Sequence, residues 1–187
     1  MTKSMAKLIY HVAVSLDNFI ADQGMLDGNI DHSLFLFEGD HVPDFLSDIQ
    51  QYDAVLMGAK TYEFGFQFGA KPGEPGYKGI KHFIFSNSMQ FESNKDVELI
   101  KGNAIAFIEN LKQREHGKIW LCGGGELAGS LLKHKLIDQL VLKVNPIIIG
   151  KGIPLFGSVK PCLKLELMDM KQYSSGVIKS TYDINYS

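Results

Sequence analysis

Branched and aromatic residues fall in short runs along this chain, separated by polar or glycine-rich stretches. Leu8-Ile-Tyr-His-Val-Ala-Val-Ser-Leu16 is almost continuously apolar, which suits a strand buried on both faces and not a surface helix. After a polar loop with Gly24 and Gly28, residues Val42, Phe45, Leu46 and Ile49 recur at helical spacing. Pro43 stands where a first helical turn tolerates it, so a helix is expected over about 43–51. Ala54-Val-Leu-Met57 predicts a short buried strand, and Gly58 opens a second helical segment containing Thr61, Tyr62, Phe64 and Phe66.

Gly69 to Gly79 holds two prolines and four glycines in eleven residues, which predicts an exposed loop and makes it a candidate lid. His82–Phe85 and Val97–Ile100 read as strands. Asn103 is placed to cap a helix whose Ala104, Phe107, Ile108 and Leu111 share one face, and Gly117 ends it. Ile119–Cys122 then leads straight into Gly123-Gly124-Gly125 and a helix carrying Leu127, Leu131 and Leu132. A strand region follows from Gln139 to Ile149. From Leu163 onward helical periodicity is lost and Ser175-Gly176 separates two apolar stretches, which predicts an antiparallel hairpin. Alternating β and α units closed by a hairpin predict an α/β fold of three layers, αβα, with a mostly parallel, mixed central sheet and helices on both faces.

A length of 187 residues fits one domain spanning 1–187 with a substantial core. Apolar residues at 45% and charged residues at 21% are the balance of a globular protein. Nineteen basic and twenty-one acidic side chains leave a formal charge of −2, so no global basic field attracts nucleic acid. The longest apolar runs, such as Ile147-Ile148-Ile149, fall far short of the roughly 20 residues that span a bilayer. The basic N-terminus lacks a plausible cleavage site and reads as a tail leading into a strand. Cys122 and Cys162 show neither zinc-ligand nor disulfide-framework spacing, so no metal site is expected and a reducing cytoplasm fits best.

Chemistry concentrates where a strand runs through glycine into a helix, at Met57-Gly58-Ala59-Lys60-Thr61 and at Cys122-Gly123-Gly124-Gly125-Glu126. Glycine lets phosphates approach the backbone, and unpaired N–H groups at a helix start favour anions. The competing explanation is a tight turn with close helix–sheet packing. Gly123 to Ala128 formally matches G-x-G-x-x-A, but several strands precede it, and about 20 residues further on stand Lys143 and Asn145 where the dinucleotide fingerprint has an acid. No G-x-x-x-x-G-K-[ST] occurs, which excludes a P-loop enzyme.

Five ordered segments resemble one superfamily: Ala13-Val-Ser-Leu-Asp17-Asn-Phe-Ile20-Ala, Val55-Leu-Met-Gly58-Ala-Lys60-Thr61-Tyr-Glu63, Phe83-Ile-Phe-Ser86-Asn87, Trp120-Leu-Cys-Gly123-Gly124-Gly125-Glu-Leu127, and Pro146 to Phe156. The family is dihydrofolate reductase together with the reductase domain of the bifunctional riboflavin-biosynthesis deaminase/reductase, and the likeness is closer to the second branch. The resemblance implies a dihydrofolate-reductase-like fold with a nicotinamide dinucleotide across the carboxyl ends of the strands. Gly58, Lys60 and Thr61 would lie under its phosphates, Ser86 and Asn87 near the adenosine ribose, and Gly123, Gly124, Gly125 and Leu127 at the pyrophosphate. Ala13 and Ile20 would flank the nicotinamide.

Reduction of a carbonyl or imine needs a proton as well as hydride, and Asp17 is the leading candidate for a substrate-side polar group. The plainer reading makes Asp17 a strand-end cap bonded to its own loop. Asp27 and Asp31 are weaker candidates, expected as turn carboxylates. His11, Trp120 and the phenylalanines of 64–68 are expected in the core.

Two departures from the family matter. Ala59 and Glu126 stand where dihydrofolate reductases commonly have basic residues that neutralise the 2′-phosphate of NADP, leaving Lys60 as the main local cation. Met25-Leu-Asp-Gly-Asn-Ile30 replaces the Pro-Trp segment and the pteridine-gripping acid, which argues against folate. The expectation is a stand-alone cytoplasmic reductase using NADPH, with NADH possible, on a small heterocycle of pteridine or ribosylamino-pyrimidine type. A catalytically silent nucleotide- or pterin-binding module on the same fold is the alternative, and the riboflavin branch suggests a homodimer.

Overall fold

A computed structural model describes residues 5–22, 24, 35–114 and 117–186. Its strands are β1 (Lys7–Val14), β2 (Phe19–Asp22), β3 (Ala54–Gly58), β4 (Lys81–Phe85), β5 (Val97–Ile100), β6 (Lys118–Gly123), β7 (Gln139–Val144), β8 (Gly152–Pro154), β9 (Lys164–Gln172) and β10 (Ile178–Asn185). The helices are α1 (Val42–Ile49), α2 (Ala59–Phe64), α3 (Ala104–Arg114) and α4 (Gly125–Lys133), with a 3-10 turn over Gly65–Phe68. Eight strands form one sheet in the order β5-β4-β3-β6-β1-β7-β10-β9. From β5 to β7 all neighbours are parallel, and the β9–β10 hairpin adds two antiparallel strands. The expected three-layer α/β architecture, mixed sheet and terminal hairpin are what the chain adopts.

The unbroken apolar run of β1 reflects a strand covered on both sides. Leu8, Tyr10 and Val14 join Ile108 and Leu111 of α3 and Leu131 of α4 in one core. Ile9 faces the other way, with Val55, Met57, Trp120, Ile49 of α1 and Tyr62 of α2. His11 belongs to that second layer, 3% exposed. Its Nδ1 meets Tyr52 Oη at 3.1 Å, and its carbonyl accepts from Trp120 Nε1 at 2.8 Å. Burial lowers its pKa to about 4, so it is neutral and acts as a core residue.

Both β1 and β7 stop earlier than their apolar runs suggest. Ser15 leaves the sheet by donating its N–H to Phe19 O. Asn145 ends β7, and its buried amide donates to Val14 O at 3.2 Å and Lys143 O at 3.1 Å while accepting from Leu36 N at 3.1 Å. Ile147 to Ile149 therefore form a loop. An antiparallel ribbon of β2 and β8 is absent from the sequence reading, because strands this short carry too little periodicity to register.

The Gly69–Gly79 loop corrects another expectation. It reaches β4 at its amino end, where Tyr77 N–H donates to His82 Nε2 at 3.2 Å. Tyr62 Oη accepts from Gly73 N at 2.9 Å and donates to Glu74 O at 2.8 Å, and the Tyr77 ring packs 4.7 Å from Trp120. A loop fastened at the edge opposite the strands' carboxyl ends cannot be a lid over them.

Helix α4 lies so close to the 154–159 segment that Gly129 has no room for a side chain: a Cβ there would run into Phe156 O and stand 3.1 Å from Val159 Cβ. Alanine is intrinsically the better helix former by about 1 kcal/mol. Gly129→Ala should nevertheless destabilise the fold by about 1–3 kcal/mol through overpacking, read as a lower denaturant midpoint with an unchanged m-value. An unchanged or higher midpoint would contradict this packing.

Candidate active site

Parallel strands end on the same side of a sheet, and in open α/β sheets ligands bind beyond those carboxyl ends. The order β4-β3-β6-β1 sets Ser86 and Asn87, then Gly58 to Thr61, then Gly123 to Leu127, then Ala13 along one edge. Gly124 has φ 103°, and a Cβ built on it would lie 3.8 Å from Gly58 Cα and 3.6 Å from Leu127 Cβ. The two glycine turns thus lean on each other. Ile20, on β2, packs against the core layer under α3 and α4.

The motif glycines have different physical reasons to be glycine. Gly123 faces Thr61, whose Oγ1 would be 3.2 Å from an added Cβ, and Gly124 needs its left-handed φ. At Gly125 a Cβ would come 2.5 Å from Pro154 O. Gly58 has none of these reasons: φ is −72° with ψ 161°, open to any residue, and a Cβ would meet nothing within 4 Å. The fold does not require glycine there, whereas a ligand lying over the β3 end does. Beside Gly58, α4 presents first-turn N–H groups with no intrahelical acceptor, and the exposed Lys60 side chain enters no ion pair among the described residues. These donors and the open Gly58 suit the phosphates of a dinucleotide.

Other expected site residues are engaged in shaping loops. Ser86 Oγ accepts from Met89 N at 3.0 Å, and Asn87 Oδ1 accepts from Gly102 N at 2.9 Å. Glu126 does not extend as a free carboxylate: Oε1 accepts from Ser158 N at 2.8 Å and Oε2 from Ser158 Oγ at 2.9 Å. Its charge is drawn toward the Gly157–Ser158 turn.

Asp17 holds two loops together. Ser15 Oγ donates to its Oδ1 at 2.6 Å, Ile149 N to Oδ1 at 3.1 Å and Gly150 N to Oδ2 at 2.7 Å. The Ser15 hydroxyl first, then these backbone donors, bring its pKa down to about 2. An ionised carboxylate in this state supplies no proton near neutrality, so Asp17 positions the edge beside Ala13. Asp27 and Asp31 lie outside the described residues.

A further group escaped the sequence reading. Lys143, in register with Ala13 across β1 and β7, sends Nζ to Leu36 O at 2.7 Å and to within 3.4 Å of His41 Nε2. Burial lowers its pKa to about 8. The available signal was a charge inside the apolar run Leu140-Val-Leu-Lys143-Val. Among the described residues no set of three or more His, Cys, Asp or Glu could hold a metal ion, and no helix is long and apolar enough to cross a membrane.

Comparison with known proteins agrees with this architecture. A family model described as the RibD C-terminal domain matches residues 6–179. The uncharacterized protein YwjB of Bacillus subtilis is 34% identical over 171 residues, covering 91% of this chain and 94% of its own. A crystal structure from Shewanella sp. PV-4, named for riboflavin biosynthesis, superposes with a TM-score of 0.73 at 25% identity, covering 97% of this chain and 99% of that one. The deaminase/5-amino-6-(5-phosphoribosylamino)uracil reductase of Thermotoga maritima has the same fold, with a TM-score of 0.66 at 20% identity, covering 98% of this chain and 58% of that one.

The loop tie at Asp17 predicts an acid dependence. Its folded pKa is depressed from 3.8 to about 2, so its stabilisation is present above about pH 4 and is lost as pH falls toward 2. Asp17→Asn should make the loss of stability between pH 4 and 2 shallower than in the parent, as followed by denaturant midpoints. Asp40, similarly depressed to about 2, keeps a residual slope in both proteins. Superimposable acid limbs would remove Asp17 from this role.

Proposed function

Because this chain belongs to the RibD C-terminal domain family, a family of reductase-like oxidoreductases, we propose that it is a stand-alone cytoplasmic reductase using NADPH to reduce a small heterocycle of pteridine or ribosylamino-pyrimidine type. The observation that carries the reading is the open cradle at Gly58, set beside the first turn of α4 on the carboxyl edge. Family usage favours NADPH, and Lys60 is the cation available to a 2′-phosphate. NADH is the competing cofactor, because Ala59 brings no second charge.

In this reading Gly58, Lys60, Thr61 and the amides of Gly124, Gly125 and Leu127 hold the phosphates, with Gly123 beneath them. Ser86 and Asn87 border the adenosine ribose, and Ala13 and Ile20 flank the nicotinamide. The bound dinucleotide supplies hydride; the chain supplies orientation and a low-dielectric edge. Asp17 keeps the Ser15–Phe19 turn against Ile149 and Gly150, which fixes the backbone beside Ala13. A silent nucleotide- or pterin-binding module is favoured by one observation only, the full engagement of Asp17.

Thermal shift and Trp120 fluorescence during titration with NADPH and with NADH test the cofactor. Binding to the folded state alone should raise the melting temperature, worth about 2.7 kcal/mol at a hundredfold excess over Kd. Gly58→Val should leave stability within about 0.5 kcal/mol of the parent and weaken the preferred cofactor at least tenfold. Failure of the parent to bind either nucleotide would sink the reading.

We also propose that a second copy of this chain covers β9. Every residue of this edge strand is exposed, including Leu165 at 45%, Leu167 at 54% and Met170 at 62%. Unpaired edge groups flanked by apolar side chains are an invitation to pair. Light scattering should give a dimer, and Leu167→Lys with Met170→Lys should give a folded monomer; a parent that is monomeric at micromolar concentration excludes the pairing.

A further inference from the structure

Strand order extends the site by one step. A dinucleotide running from β4 over β3 and β6 to Ala13 on β1 leaves β7 as the next strand outward, and the β7 residue in register with Ala13 is Lys143. A heterocycle stacked against the nicotinamide therefore lies over β7. The reductase reading needs a proton there, and Asp17 does not provide it.

Among the described residues no carboxylate pairs with Lys143. On the same face, α1 carries Asp44 and Asp48, but Asp44 accepts from Tyr173 Oη at 2.6 Å and pairs with Lys171, and Asp48 pairs with Lys179 at 2.7 Å. Asp40, before α1, accepts from Ser174 N at 2.7 Å and from Ser175 N at 3.3 Å. Lys179, in register with Lys143 on β10, adds like charge, and His11 on β1 is neutral. Among the described residues the Lys143 amine donates to Leu36 O at 2.7 Å, lies 3.4 Å from His41 Nε2 and stands 6.0 Å over the Phe37 ring. His41 is itself 3% exposed; its Nε2 lies 3.1 Å from Leu36 O, an acceptor, so the imidazole proton sits on Nε2 while Nδ1 accepts from the Ser175 hydroxyl at 3.3 Å. One ammonium hydrogen is thus directed, at Leu36 O. A half-buried ammonium without a counter-ion is costly to a fold, and a well-packed apolar residue would serve the layer better.

We propose that Lys143 is the substrate-side proton donor of this site, an inference that rests on the reductase reading. The carbon of a C=O or C=N bond gains hydride from a reduced nicotinamide, the π pair moves to the heteroatom, and an N–H bond of the Lys143 ammonium breaks as that heteroatom takes the proton. Carbon is reduced by two electrons, the nicotinamide is oxidised by two, and Lys143 is left as a neutral amine within reach of His41. Desolvation already brings the amine into a useful range, about 8. The donor must be protonated, so the rate falls as pH rises through that value.

The first test needs no substrate. Acetic anhydride labelling of the full chain across pH, read peptide by peptide by mass spectrometry, should give Lys143 a midpoint near 8, below the about 10.4 of an unperturbed lysine. An ordinary midpoint at Lys143, or no labelling at any pH, overturns the proposal. The second test follows NADPH consumption with 5-amino-6-(5-phosphoribosylamino)uracil as the probe. Lys143→Met should keep NADPH affinity within twofold and lower kcat at least a hundredfold. Lys143→Arg should keep KM, lose kcat and lose the falling limb near pH 8. Retention of kcat within threefold in Lys143→Met, or of the limb in Lys143→Arg, refutes the donor role. Loss of NADPH binding by the parent would instead indict the reductase reading.

Discussion

The carboxyl edge of this sheet depends on one buried amide. Asn145 joins the end of β1 through Val14 O, the end of β7 through Lys143 O and the segment entering α1 through Leu36 N. With 0% exposure it has no water to fall back on, so each lost partner leaves a polar group unsatisfied in a low-dielectric layer. Two strands and a connection are thereby forced to end in one place. Lys143 and Ala13 meet across that junction, and Asp17 extends it outward by holding Ile149 and Gly150.

Glycine has two meanings along this edge, and separating them clarifies the site. Gly125 and Gly129 are small because the 154–159 segment presses on α4, a packing demand that would exist without any ligand. Gly58 is under no such demand. Motif likeness treats these positions alike, whereas the backbone angle and the space above each one divide them into scaffold and cradle.

Periodicity and turn chemistry made most of the architecture legible. β1 read as a doubly buried strand because its apolar run has no polar alternation, and Asn103 read as a cap because its side chain can accept from Ile105 and Ala106 N–H, as it does at 3.0 and 3.2 Å. The ribbon of β2 and β8 was invisible because strands of three and four residues carry no period. The direction of the Gly69–Gly79 loop was invisible too, since glycine content reports flexibility of the backbone but not which edge of a sheet it lies on. For the site, the glycine turns stood out by composition. Lys143 did not, because its meaning comes from Ala13 and His41, which are far from it in sequence.

The terminal hairpin connects these observations. Lys171 and Tyr173 hold Asp44, Lys179 holds Asp48, and the turn at Ser174 and Ser175 holds Asp40. Exposed and partly exposed pairs of this kind stabilise little, and the two core layers supply the stability. What the pairs provide is register: three acids around α1 are each matched to a fixed point on β9, β10 or their turn, so the helix can sit in only one place. Because His41 immediately precedes α1 and contacts both Ser175 and Lys143, the hairpin sets the position of the imidazole and, through it, the direction of the lysine. An element at the far side of the sheet order thus governs the geometry at the edge where β1 and β7 end.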